Sequence, residues 1–406
     1  MIRRPARGAI ALAAVLVAGL TACGLGRNDA PGDGRRTITI GFQGMLSGDD
    51  RKLGLNALAG VRTAVEEVNA DASVPFRLRL VQVDDAGSTD RAPGAARSLT
   101  GNSDVLAVIG PLRTDTTEVS EPFYSEAGLL SVTPSATGPA LTDLGFTTFF
   151  RAIAPDSVQG RAVADYISTV LEATKVYSID DRGEYGIGLS TALEAELNSD
   201  GVDVIHDGID PTRDYTAQAA RIATEAPDVV YYAGYYADFA RLAAALRDKG
   251  FAGTLMAGDG SRDPRFVTRA GADVAEGTYF SCACADLGDG DGDGAEAGAA
   301  DGDGDRPGAD DFVASYGRLN GGMPPGVFSA EAYDATNAVV RVLRTIGDNP
   351  DRAAVVRAFA DVDWKGVTRD VAFEATGELR APTVYLYKVE DGEIVGLGRI
   401  SDLIDS

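Results

Sequence analysis

The chain has 406 residues, 45% hydrophobic and 24% charged, with 61 acidic against 37 basic side chains and a formal net charge of −24. That length holds two or three domains with sizeable cores, and the acidic balance argues against wrapping nucleic acid or gripping an anionic membrane by charge. A single histidine, His206, excludes a multi-histidine metal site, and three cysteines, at 23, 282 and 284, are too few for a disulfide framework.

At the N-terminus, Arg3, Arg4 and Arg7 precede a twelve-residue apolar run, Ala9 to Leu20. Twelve residues of helix reach roughly 18 Å, short of a bilayer core of about 30 Å, so the run reads as a secretory signal and not a membrane span. It ends in Leu20-Thr21-Ala22-Cys23, which looks like a lipobox, where a signal peptidase cuts before a lipid-bearing cysteine. Residues 1–22 are therefore read as a lipoprotein signal and Cys23 as the lipidation site. Residues 23–36, rich in Gly, Asp and Pro, read as a flexible tether.

Beyond the tether, short apolar runs alternate with helical patterns. Strands are expected at Thr37–Phe42, Arg77–Val83, Val105–Ile109, Leu129–Val132, Lys175–Ile179, Val202–His206, Val229–Tyr232, Thr254–Ala257 and Gly277–Phe280. Between the first two, Leu58, Val61, Val65 and Val68 recur at helical spacing with Glu66, Glu67 and Asn69 turned outward. Another helix runs from about Phe239 until Gly250 stops it. Alternating strands and helices imply parallel sheets covered on both faces, too many units for one sheet, and hence two doubly wound α/β lobes. The C-terminal stretch offers helices near Ala330–Ile346 and Ala353–Ala360, then strand-like Val371–Phe373, Thr383–Val389 and Glu393–Gly398.

One segment, 286–311, holds ten acidic residues against Arg306 alone. Asp289, Asp291, Asp293 and Gly294 begin like a calcium loop, but Ala300 stands where the bidentate glutamate belongs. It is read as a solvated, disordered insertion, with no metal site. Just before it, Cys282 and Cys284 sit two apart in a strand-like run. Their side chains are expected on opposite faces, which disfavours a mutual disulfide.

In parallel α/β sheets, ligands bind beyond the carboxyl ends of strands. Two such junctions offer hydroxyls and backbone N–H groups that suit a carboxylate: Gly110-Pro111-Leu112-Arg113-Thr114 and Thr133-Pro134-Ser135-Ala136-Thr137-Gly138. A third, Ala257-Gly258-Asp259-Gly260, places an acid after a strand. An anion cradle facing a lone acid matches the two ends of an amino acid. Catalysis is not expected: no Gly-x-Ser-x-Gly elbow exists, and His206 closes a strand-like run as a structural residue.

These motifs resemble the branched-chain amino-acid (Leu/Ile/Val-type) binding proteins of ABC importers. The similarity is carried by Gly41-Phe42-Gln43-Gly44-Met45-Leu46-Ser47-Gly48, by Ile109 to Thr142, by Glu184-Tyr185-Gly186-Ile187-Gly188 and by Tyr231-Tyr232-Ala233-Gly234-Tyr235-Tyr236. The resemblance implies a type I periplasmic-binding fold, two lobes on a three-strand hinge. It assigns 37–155 with 281–365 to one lobe and 156–280 with 366–406 to the other. It further implies that Thr114 and Thr137 hold the ligand carboxylate. The Ser135 carbonyl, the Thr137 hydroxyl and Asp259 would hold the ammonium, and Tyr185 and Tyr235 would close the cleft. The chain departs from the pattern at three places. Leu53 stands where an aromatic covers the ligand side chain, Asp259 where relatives have glutamate, and Gly87 and Arg113 where some have a disulfide.

The expected function is thus an extracytoplasmic binding protein for a small α-amino acid, anchored by lipid to the outer face of the cytoplasmic membrane. It would be a monomer without cofactor, serving ABC permease subunits and no nucleic acid. The alternatives are a binder of an amide, urea or polyamine, or a ligand sensor for a signalling partner.

Overall fold

A computed structural model of the protein describes residues 34–285, 287, 308–347 and 349–405. Cys23, the expected signal peptide and residues 286 and 288–307 of the acidic segment lie outside them. No described helix is long and apolar enough to cross a membrane.

Fourteen strands are described. The first sheet holds β1 (Arg36–Gly44), β2 (Phe76–Asp84), β3 (Val105–Ile109), β4 (Leu130–Thr133) and β5 (Phe149–Arg151) in the order β2-β1-β3-β4-β5, all parallel. In the second, β6 (Lys175–Asp180), β7 (Asp203–Gly208), β8 (Val229–Ala233), β9 (Thr254–Ala257) and β10 (Tyr279–Cys282) repeat that order as β7-β6-β8-β9-β10. β13 (Tyr385–Glu390) and β14 (Glu393–Arg399) extend it as an antiparallel hairpin beyond β10. β11 (Asp363–Lys365) and β12 (Asp370–Ala372) pair separately.

The burial of each strand follows its place. β1 is central and buried along both faces from Ile38 to Gly44, whereas edge strand β2 is buried mainly at Phe76 and Leu78. The helix Arg51–Ala70 turns Ala57, Leu58, Val61, Val65 and Val68 inward, as the periodicity predicts. It lies so close to the helix Ser329–Thr345 that a Cβ on Gly60 would sit 1.8 Å from the Ser329 carbonyl oxygen. Only glycine permits that approach.

Between the sheets the chain crosses three times: after β5, after β10, and between β12 and β13. Buried Arg369, just before β12, fastens the crossing after β10 by donating to the Ala283 carbonyl at 2.6 Å, and it also donates to Glu331 of the helix Ser329–Thr345 at 3.2 Å.

The structure corrects several expectations. Cys282 and Cys284 form a disulfide, with Cα atoms 5.0 Å apart. Strand alternation does not govern this pair, because β10 ends at Cys282 and the backbone bends through Ala283 and Cys284. The acidic segment was expected to run to residue 311, but the helix Ala309–Leu319 takes Asp310 and Asp311 into its first turn, where acids complement the helix dipole. Arg36, expected in the tether, is the first residue of β1 and pairs with Phe76. Strand β5 escapes sequence reading because three residues are too few to show a period.

Candidate functional site

The two sheets meet the cleft with equivalent strand ends. After β1 and β6 come Leu53 and Tyr185, after β3 and β8 come Thr114 and Tyr235, and after β4 and β9 come Ser135, Thr137 and Asp259. These seven sequence-predicted residues all line one cavity, together with Met45, Leu112, Arg113, Gly260 and Phe328.

On the first sheet's side, the loops after β3 and β4 are stitched into one surface. Thr133 Oγ1 donates to the Pro111 carbonyl at 2.7 Å, Ser135 Oγ donates to the Leu112 carbonyl at 2.7 Å, and Thr114 Oγ1 accepts from the Gly138 N–H at 3.1 Å. A Cβ on Gly138 would lie 2.2 Å from Thr114 Cγ2, so the loops meet only because that residue is glycine. Thr114 opens the helix Thr114–Glu126, whose positive end therefore faces the cavity. The Ser135 hydroxyl is spent within the loop, while Thr137 Oγ1 is buried and unpartnered. Hydroxyls and a helix start make this wall fit for a carboxylate.

Across the cavity, Asp259 is 3% exposed in a single 3-10 turn, Asp259–Ser261. Its Oδ1 accepts from Gln159 Nε2 and from the Tyr185 hydroxyl, each at 2.9 Å, which leaves Oδ2 for the cavity. The Tyr185 hydroxyl in turn accepts from the Gly260 N–H at 3.1 Å. Tyr185 was expected only to shut the cleft. Its phenol also anchors the acid, and its ring lies 5.6 Å from that of Tyr235, tilted 51°. Burial raises the Asp259 pKa above the ordinary carboxylate value, and hydrogen bonds from Gln159, Tyr185 and its own backbone N–H partly oppose that rise.

Arg113 shows why one cation near a cradle need not bind an anion. Its guanidinium forks onto Asp115 at 3.1 Å, reaches Asp50 at 3.3 Å and sits 4.2 Å above the Tyr235 ring. Burial disfavours its charge, but Tyr235, Asp115 and Asp50 more than offset this, so it stays protonated. Two carboxylates already neutralise it. Its contact with Tyr235 joins the two sides of the cleft.

Apolar side chains fill the remaining wall: Met45, Leu53, Leu112 and Phe328 are each under 5% exposed. Sequence reading did not find Phe328, which precedes a helix 193 residues beyond Ser135 and reaches the cavity only through the fold. Nor did it find Gln159 or Asp156. Asp156 with Gln159 three residues on reads as an ordinary helix start, and only the structure buries both under the cleft.

The profile of the periplasmic binding protein family matches residues 37–393. A Leu/Ile/Val-binding protein homolog from Brucella melitensis is 30% identical over 364 residues, 89% of this chain and 93% of its own. Among solved structures, a leucine binding protein from Thermotoga maritima superimposes with a TM-score of 0.79 at 23% identity, covering 89% of this chain and 98% of the other. A branched-chain amino acid transporter substrate binding protein from Streptococcus pneumoniae, solved with isoleucine, gives 0.77 at 24% identity, covering 88% and 98%.

Proposed function

The chain belongs to the periplasmic binding protein family, and on that premise we propose that it captures a small α-amino acid with a branched apolar side chain for an ABC importer. One observation carries the reading: a hydroxyl-rich cradle of Thr114, Ser135 and Thr137 faces the buried acid Asp259 across a cavity whose apolar wall is Met45, Leu53, Leu112 and Phe328, with Arg113 beside the cradle already paired to Asp50 and Asp115. The cradle and helix start suit the ligand carboxylate. Asp259 offsets the desolvation of an ammonium, and the apolar wall takes a hydrocarbon side chain. Nothing in this arrangement calls for bond-making, so the reading is of binding without chemistry. The relatives' names, which give Leu/Ile/Val and leucine, support the same ligand class.

In this reading the protein works outside the cytoplasmic membrane, held there by lipid on Cys23, and delivers its ligand as a monomer to permease subunits. Leu53, in place of an aromatic, leaves room for a branched side chain. A second reading, a polyamine, draws on a second buried acid, Asp156, beneath the cleft. A thermal-shift screen of the purified full chain separates them. A ligand at 100 times its dissociation constant adds about 2.7 kcal/mol of stability. Stabilisation by leucine, isoleucine or valine supports the proposal. Stabilisation by polyamines or amides alone refutes it.

A further inference from the structure

Two buried carboxylates lie beside the cleft, and one of them, Asp156, has no cation free to pair with it. Asp259 places Oδ1 between Gln159 and Tyr185. Asp156 opens the helix Asp156–Thr169 where the chain has just left the first sheet, and its own N–H donates to the Thr137 carbonyl at 2.8 Å. Both Asp156 carboxylate oxygens are buried without a hydrogen-bond partner, and so is Thr137 Oγ1. The Thr137 hydroxyl nonetheless faces Asp156 closely enough to favour its ionised form. A fully buried, unpaired carboxylate is costly.

The surroundings do not neutralise the pair. Among the described residues, the charged and titratable groups facing Asp156 are Asp259, Arg151, Tyr185 and Tyr231. Arg151 is the one cation, and it is already spent. Its Nε and Nη2 donate to Glu378 at 2.9 and 2.5 Å, and its Nη1 donates to the Gly138 carbonyl. The Tyr185 phenol serves Asp259, and the Tyr231 phenol lies 3.5 Å from Ser281 Oγ. Burial first, and the neighbouring Asp259 second, push the Asp156 carboxyl well above the usual carboxylate range.

We propose that Asp156 is the second acid of the ammonium site: in the empty protein it shares one proton with Asp259, and an arriving α-ammonium displaces that proton to solvent. The balance is simple. One positive charge enters with the ammonium and one leaves as a proton: the two carboxylates become fully ionised, and the buried group of acids plus ammonium keeps the net charge the protonated pair had. Thr137 links the two halves, its hydroxyl donating to Asp156 while its lone pair receives an ammonium N–H. Two acids that interact this strongly titrate as a unit. The inference rests on the amino-acid reading above.

The test is calorimetry of the full chain with leucine, in two buffers of different ionisation enthalpy at each of several pH values. The heats should differ between buffers and report release of up to about one proton per leucine, with affinity rising about tenfold per pH unit until the empty pair is ionised. The deaminated analogue 4-methylpentanoate, lacking an ammonium, should release none. Asp156→Asn should abolish the release and flatten the pH profile, a change that a merely structural acid would not produce. Leucine binding with identical heats in the two buffers overturns this inference and leaves the amino-acid reading standing, as does release that persists in Asp156→Asn. No binding of leucine, isoleucine or valine overturns both. If Asp156→Asn does not fold, the wild-type buffer comparison still decides.

Discussion

Asp259→Asn separates charge from shape at this site. The substitution keeps an acceptor oxygen for Gln159 Nε2 and the Tyr185 hydroxyl, so the hydrogen bonds that build the turn survive. What changes is the atom left for the cavity: an oxygen that accepts from an ammonium becomes an amide NH2 that opposes it. Losing one partner of a buried charged hydrogen bond costs about 2–5 kcal/mol. Because Asp156 remains beneath the site and retains part of the negative field, the lower half applies, about 2–3 kcal/mol, or roughly thirty- to 150-fold in affinity. Stability should not fall, since burial already raises the Asp259 pKa and an amide escapes that cost. Calorimetry with leucine and with 4-methylpentanoate reads both arms, and thermal unfolding of the empty protein reads the third. Equal losses for the two ligands would show that Asp259 does not face an ammonium. A large drop in melting temperature would show that its charge holds the turn.

Thr114→Ala removes the hydroxyl that accepts from Gly138 N–H at 3.1 Å, and should weaken leucine and its deaminated analogue alike by about 1–2 kcal/mol, measured by the same titrations. Arg113→Ala breaks the 4.2 Å stack on Tyr235 that joins the two sides of the cleft. Ligand release measured by stopped flow should quicken by roughly two- to thirty-fold, the equivalent of about 0.5–2 kcal/mol, without a change in ligand preference. Glu121, buried beneath the cradle and hydrogen-bonded to Ser131 Oγ at 2.5 Å, has its carboxyl pushed up to about 8 by burial, with the Ser131 bond opposing. A folded value above the unfolded one means the native state holds the extra proton, so stability is full at low pH and falls as pH rises from about 5 through about 8. Glu121→Gln should flatten that fall by up to ~3 kcal/mol at pH 7, read from urea unfolding at pH 5, 7 and 8. An unchanged slope would show that Glu121 does not carry it.

The sequence by itself determined the elements that obey a local period and the loops that follow them. Strand β3 and strand β9 fall where the apolar runs place them, and the helix Arg51–Ala70 buries the face that its spacing marks. The junctions holding Thr114, Ser135, Thr137 and Asp259 were legible because each lies just beyond a recognisable strand, whereas Leu53, Tyr185 and Tyr235 came from family resemblance alone, and the structure places all seven on one cavity. Chain-local patterns carry no information about which distant segments meet, and that is where tertiary structure decided. It brought Phe328 to the cavity wall, folded the Cys282–Cys284 pair through a bend that strand alternation does not anticipate, and set Arg113 across the cleft between Asp50 and Tyr235. It also turned Asp156 from a helix-opening residue into a buried acid beside Asp259, because desolvation and charge proximity depend on what packs around a side chain and not on its neighbours along the chain.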